Sequence, residues 1–116
     1  MSEGIINISD ALERVQDDRE LLLELFDIFQ QDFEEKRQEI GRCLESKNFE
    51  QMKDIAHSLK GASGNISAER IYVPLSELEQ IAGKGDLPQI NSLIKIIDQR
   101  YEELKKHIVK LKKELR

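Results

Sequence analysis

Cysteine is almost absent from this sequence, with Cys43 as the only one. A single thiol cannot form an intrachain disulfide or a cysteine-based zinc site, and a lack of disulfides is typical of the reducing cytoplasm. No segment approaches the run of about 18 apolar residues that would span a membrane. Residues 1–15 also lack the positive region of a secretory signal. These absences predict a cytoplasmic protein with no membrane partner.

Tryptophan is absent, and aromatic residues make up only 5 % of the chain, whereas charged residues make up 35 %. A composition rich in Leu, Ile, Glu and Lys is typical of a helical protein rather than of a β-sandwich. The net charge of −5 argues against a nucleic-acid partner, since proteins that bind nucleic acids more often carry a basic face. The length of 116 residues predicts one domain over residues 1–116.

Apolar residues recur at the spacing of three and four that predicts amphipathic helices. Short polar stretches separate these segments, and the chain contains no internal repeat or low-complexity linker. The predicted helices cover residues 7–15, 19–44, 49–66 and 74–82, and a long last helix follows Asp86. Four long or medium helices joined by short turns predict an all-α fold, namely an antiparallel up-down four-helix bundle with a short extra N-terminal helix.

Residues that favour helix ends set the expected boundaries. Pro74 has no backbone N–H and clashes with the preceding turn of a helix, so we expect a turn or kink before it and a helix that begins there. Gly83 or Gly85 is expected to end that helix. The expected N-terminal caps are Asn7 or Ser9, Asp17 with Glu20, Asn48 with Gln51, and Asp86.

The stretch AHSLKGASGN, residues 56–65, places a histidine and two glycines in one predicted helix. Each glycine costs roughly 1 kcal/mol against alanine in a helix, so the pair needs a physical reason. At about 100° per residue from Met52 in the apolar stripe, His57 lies at about 140°, Gly64 at about 120° and Gly61 at about 180°. The histidine is therefore expected to be exposed beside a bare strip of helix backbone.

Lys60 falls at about 80°, on the border of the same apolar stripe, where its cation can contact an anion such as phosphate. Because imidazole is largely neutral near pH 7, the pattern predicts an exposed nucleophile, with Gly61 and Gly64 giving access to a large partner. The alternative interpretation is an ordinary surface histidine beside a frayed helix end. The turns that follow His107 contain no glycine, and we expect that residue to be a plain surface residue.

The segment AHSLKGASGNISA resembles the signature of histidine-containing phosphotransfer (HPt) domains, in which a histidine is followed by x-L-K-G and small residues. Chain length, helix order and the central position of the motif extend the resemblance to nearly the whole chain. It implies a phosphorelay carrier of two-component signal transduction, in which His57 accepts a phosphoryl group from a receiver-domain aspartyl phosphate and passes it to another receiver. It also implies that Lys60 helps to hold the phosphate, that Gly61 leaves room for the receiver, and that Glu79 hydrogen-bonds the histidine.

Two positions depart from the family pattern. Ser67 stands where the family often has glycine, and Pro74 is unusual within its segment. Both leave the path of the chain between them open, and with it the position of Glu79, which is counted without gaps.

The resemblance further implies that magnesium and the acceptor aspartate come from the receiver, so we expect no metal site and no cofactor in this chain. The expected partners are response-regulator receiver domains and, as a further candidate, a hybrid histidine kinase; the chain itself is expected to be a monomer.

Two other functional classes are alternatives to a phosphorelay carrier. A histidine kinase would need its own ATP site, but the sequence contains no G-x-x-x-x-G-K-[ST] loop and leaves no room for a nucleotide-binding domain beside the bundle. We therefore expect a carrier that is not an enzyme. A helical docking module without chemistry is the second alternative, supported by the long last stripe and its basic end, KKHIVKLKKELR. Such a module would have no need of His57 and Lys60.

Overall fold

Five α-helices make up the structure, a computed structural model that describes residues 5–115. Within these residues the fold is all-helical and contains no β-strand. The helices follow the predicted segments in number and order. They are α1 (Ile8–Arg14), α2 (Arg19–Ser46), α3 (Phe49–Asn65), α4 (Glu69–Ile81) and α5 (Leu87–Leu115), with a 3₁₀ turn over Ala82–Lys84 before α5.

Side-chain caps begin most of these helices at the predicted residues. Asn7, Asn48 and Asp86 each accept a hydrogen bond from the backbone N–H three residues further on, at 3.1–3.3 Å. The predicted cap at Asp17 is wrong by one residue, because Asp18 Oδ1 accepts the corresponding bond at 3.0 Å. Asp17 has a left-handed φ of 63°, whereas a capping residue is extended.

The prediction that a helix begins at Pro74 is also wrong. Helix α4 begins at Glu69 and continues through the proline, which cannot donate the bond to the carbonyl of Arg70 that another residue would make there. The proline is buried together with the other apolar residues of α4, so packing against the core offsets the lost hydrogen bond. The buried residues of this helix are Ile71, Pro74, Leu75 and Leu78.

The helices enclose one hydrophobic core to which all five contribute. Helix α3 packs against α2 and α4, and α4 packs against α5. Residues nearer the start of α2 contact residues nearer the end of α5. Arg37 bonds Asp98 at 2.7 Å, and Asp27, nearer the start of α2, pairs with Lys112, nearer the end of α5. No helix in residues 5–115 combines the length and the hydropathy needed to cross a membrane.

The prediction that His107 is a surface residue is wrong. Its side chain is buried on α5, in one stripe with Leu104 and Leu111, and its Nε2 has no hydrogen-bond partner among the described residues. Burial, followed by the nearby Lys110 cation, lowers the pKa of His107 below its usual value. The spacing of three and four residues to Leu104 and Leu111 was the signal that could have indicated this burial.

Candidate functional site

His57 lies on the outer face of α3, where its side chain is 68 % exposed. The angle on the helix predicted this orientation, because a helix that buries one face must direct residues more than a quarter turn away to solvent. The opposite face of α3 is buried through Met52, Ile55, Ala56, Leu59 and Ser63. The two nitrogen atoms of the imidazole ring can therefore contact solvent or a side chain of a neighbouring helix.

Glu79 on α4 places its carboxylate between His57 and Lys60. Its Oε2 lies 2.8 Å from His57 Nδ1, and its Oε1 lies 2.7 Å from the Lys60 ammonium. Glu79 and Lys60 form an ion pair, but the angles at this contact are not those of a well-aligned hydrogen bond to Oε1. One carboxylate thus joins two α3 side chains that are one helical turn apart.

The charges in this group determine where the histidine carries its hydrogen. The Lys60 ammonium, and to a smaller extent the His57 ring, lowers the pKa of Glu79, while Glu79 raises the pKa of Lys60. An ionised carboxylate can only accept hydrogen bonds, so Nδ1 of His57 must donate the 2.8 Å bond. In the neutral ring the lone pair then lies on Nε2, the nitrogen directed away from Glu79.

Lysines flank the histidine on both sides along α3. Lys60 is mostly covered, with 23 % of its side chain exposed, because its ammonium lies against Glu79. Lys53, one turn before His57, lines a cleft of about 380 Å³ together with Lys60 and Glu79. Lys53 was not among the predicted site residues, although its spacing of four residues to His57 places both on one face of the helix.

The two glycines of the motif are not required by the packing of the protein itself. A Cβ atom added to Gly61 would meet no atom within 4 Å, and one added to Gly64 would lie 3.6 Å from the ring of Tyr72, an ordinary contact. Neither glycine has a positive φ, so neither is needed for the backbone conformation. What their small size provides is an open strip of α3 surface one and two turns beyond His57.

Comparison with known proteins gives a family and a fold. A search of curated proteins found no match. The crystal structure of histidine-containing phosphotransfer protein B (HptB) from Pseudomonas aeruginosa PAO1 superimposes with a TM-score of 0.87 over the full length of both chains, at 22 % sequence identity, which shows a shared fold. The family model of the Hpt domain matches residues 24–107, a range that contains His57, Lys60 and Glu79. The chain belongs to the Hpt domain family.

Proposed function

We propose that His57 is the residue on which this Hpt domain carries the phosphoryl group. As a member of the family, the protein is a phosphotransfer protein of a two-component phosphorelay, and its partners are receiver domains. The observation that carries the assignment to His57 is the 2.8 Å bond from Nδ1 to Glu79, which leaves the Nε2 lone pair available on an exposed ring. His107, the other histidine, is buried and lacks this arrangement.

In the proposed step, the Nε2 lone pair of His57 attacks the phosphorus of an aspartyl phosphate on a receiver domain. A P–N bond forms while the P–O bond to the aspartate breaks, and the electron pair of the broken bond leaves with the aspartate carboxylate. The Nδ1 hydrogen stays on the ring, where Glu79 stabilises the positive charge that the ring gains. Attack by the aspartate of a second receiver then breaks the P–N bond and returns the lone pair to Nε2.

Lys60 is proposed to hold the phosphoryl group after it reaches His57. Its ammonium and the His57 ring contact the two oxygens of the same Glu79 carboxylate, and this carboxylate raises the pKa of Lys60, which keeps the side chain cationic. A phosphoryl group on Nε2 adds negative charge at the exposed edge of the ring, and a lysine one helical turn away can reorient toward it and so favour the phosphorylated state. Gly61 and Gly64 are proposed to give the receiver close access to the ring.

The proposal includes the arrangement that carries the site, an antiparallel up-down bundle of α2 to α5 with α1 as the extra helix. Its support is that later residues of α3 contact earlier residues of α4, as expected for two antiparallel helices. His57 contacts Glu79, whereas Gly64, later in α3, lies beside Tyr72, earlier in α4. A single domain over residues 1–116, a monomeric state, a cytoplasmic location, a hybrid kinase as an additional partner and the lack of an ATP site of its own stay predictions.

The test is phosphate uptake by the His57→Gln variant from a receiver domain labelled with radioactive acetyl phosphate. We expect the variant to fold, since an exposed substitution changes stability by about 0.5 kcal/mol or less, and to take up no label. The matched control is His107→Gln, which removes the other histidine and should still take up phosphate at a temperature where it is folded. Uptake by His57→Gln would refute the assignment.

A docking module and a kinase would give different results in the same assay. A docking module would show no labelled intermediate even with the wild-type chain. A kinase would become labelled when the isolated chain is incubated with labelled ATP, whereas a carrier stays unlabelled until a phosphorylated receiver is added. These two measurements decide between the three functional classes.

A further inference from the structure

The turn between α3 and α4 contains a strained serine whose side chain has a structural use. Ser67 has a φ of 56°, the left-handed conformation that glycine adopts most readily. Its N–H donates to the carbonyl of Gly64 at 3.1 Å, and the N–H of Ala68 donates to that of Ser63 at 2.9 Å. These two bonds define a Schellman helix end with Ser67 at the position where glycine is usual.

The serine connects this turn to α1. Its Oγ donates to Asp10 Oδ2 at 2.5 Å, and its carbonyl accepts the backbone N–H of Asn7 at 3.0 Å. The same Asp10 oxygen accepts the Nε hydrogen of Arg14 at 3.0 Å. The Ser67 hydroxyl, followed by Arg14, lowers the pKa of Asp10 and so keeps it a charged acceptor for both. A glycine at position 67 could still accept the bond from Asn7, but it could not provide the hydroxyl bond to Asp10.

A cleft of about 350 Å³ lies where these groups meet the open strip of α3. Gly61, Gly64 and the half-exposed ring of Tyr72 line it from α3 and α4, and Asp10 and Arg14 line it from α1. We call this the α1 cleft. Its volume falls at the lower end of the range of about 300–1,000 Å³ that is usual for binding clefts.

The α1 cleft begins close enough to His57 to be covered by any protein that reaches the ring. Gly61 is one turn from His57 and Gly64 two turns, which are distances of about 6 and 11 Å along the helix. An interface of standard size covers about 800 Å² on each partner, equivalent to a disc with a radius of about 16 Å. A receiver that docks with its aspartate at His57 would therefore also cover the cleft.

We propose that Arg14 strengthens receiver docking by binding a carboxylate of the docked receiver domain at the α1 cleft, and that Ser67 and Asp10 hold Arg14 in position for it. This inference rests on the proposed function. The argument for a carboxylate rests on Arg14 itself, because Asp10 and Glu69 also line the cleft and Arg14 is the one cation among the described residues of its lining. Within residues 5–115 Arg14 pairs only through its Nε, so both terminal nitrogens remain for a carboxylate fork. The open backbone of Gly61 and the Tyr72 ring provide room for an apolar side chain beside it.

The test compares two phosphate donors across Arg14→Gln, Ser67→Gly and a matched control. Phosphoramidate is a small donor that needs no docking surface, whereas a phosphorylated receiver domain does. We expect Arg14→Gln to raise the receiver concentration for half-maximal transfer about three- to tenfold, and Ser67→Gly to raise it about threefold. The saturating rate and the phosphoramidate rate should stay at wild-type values. The exposed Arg42 on α2 lines no part of the cleft, so Arg42→Gln should leave all three quantities unchanged.

Several results would separate a docking role from a merely structural one. Ser67→Gly should keep the melting temperature near the wild-type value, because relief of the left-handed strain opposes the lost hydrogen bond, and the effect of Arg14→Gln should shrink at high salt. Unchanged half-saturation in Arg14→Gln, or slower phosphorylation by phosphoramidate, would overturn the inference. Stabilisation of the wild type but not of Arg14→Gln by inorganic phosphate alone would assign the cleft to a free anion and also overturn it. If wild type accepts phosphate from neither donor, the proposed function itself fails.

Discussion

Replacement of Glu79 by glutamine tests whether the carboxylate activates His57. The amide has the same shape and can still accept the Nδ1 hydrogen, but it loses the negative charge that lies 2.8 Å from the ring and 2.7 Å from Lys60. During transfer the ring gains positive charge, and a fixed carboxylate stabilises the transition state more than the ground state. The variant should therefore lower the rate constant more than it changes receiver binding.

The magnitude follows from the type of bond that is exchanged. A hydrogen bond to a charged group contributes about 1.5–3 kcal/mol and one between neutral groups about 0.5–1.5 kcal/mol. Because the His57 side chain is 68 % exposed, solvent screening places the difference near the low end, at about 1 kcal/mol. This corresponds to a rate about fivefold lower for Glu79→Gln. Glu79→Ala, which offers no acceptor, should be slower by about tenfold.

The assay measures transfer at saturating receiver and phosphorylation by phosphoramidate, since a defect at the ring must appear with both donors. Nitrogen NMR of the His57 ring gives an independent readout: wild type should carry the hydrogen on Nδ1, and Glu79→Ala should shift it toward Nε2. Glu77→Gln is the matched control, because Glu77 is an exposed carboxylate on the same helix and carries the same charge. Wild-type rates together with an unchanged tautomer in Glu79→Ala would refute the reasoning.

Three further predictions concern single positions. Gly61→Leu should raise the free energy of unfolding by most of about 1 kcal/mol, since its Cβ meets no neighbour, yet slow transfer from a receiver; normal transfer would contradict an access role. Lys60→Ala should slow transfer roughly ten- to a hundredfold without unfolding the chain, and Lys60→Arg should give an intermediate rate; gel-based transfer with one fixed receiver decides this. The pKa of His107 is lowered by folding, so the unfolded state binds its proton first and stability is lost as the pH falls below about 6.5. His107→Leu should weaken this loss, and equal changes in melting temperature between pH 7.5 and about 5.5 for both proteins would argue against it.

The helices and the orientation of His57 were available from the sequence because they depend on local periodicity. Apolar residues spaced three and four positions apart define one buried face, and the angle from that face gives the direction of every other side chain on the helix. For this reason the angle on α3 predicted an exposed His57 with Gly61 and Gly64 beside it. On α5 the spacing of three and four residues from His107 to Leu104 and Leu111 likewise indicates a buried side chain, a pattern that the absence of nearby glycines does not reveal.

Local periodicity did not predict the contacts between helices, and the bond between Glu79 and His57 was expected only from the family resemblance. Glu79 is 22 residues from His57, and its carboxylate reaches both His57 and Lys60 only because α3 and α4 have one particular rotation and offset. Helix α4 also begins before Pro74, since burial of the ring offsets the missing hydrogen bond. The side chain of Ser67 likewise reaches Asp10 across 57 positions of the chain. Local sequence patterns determine which face of a helix is buried, whereas the pairing of charged side chains across two helices depends on how these faces pack together, which no single segment encodes.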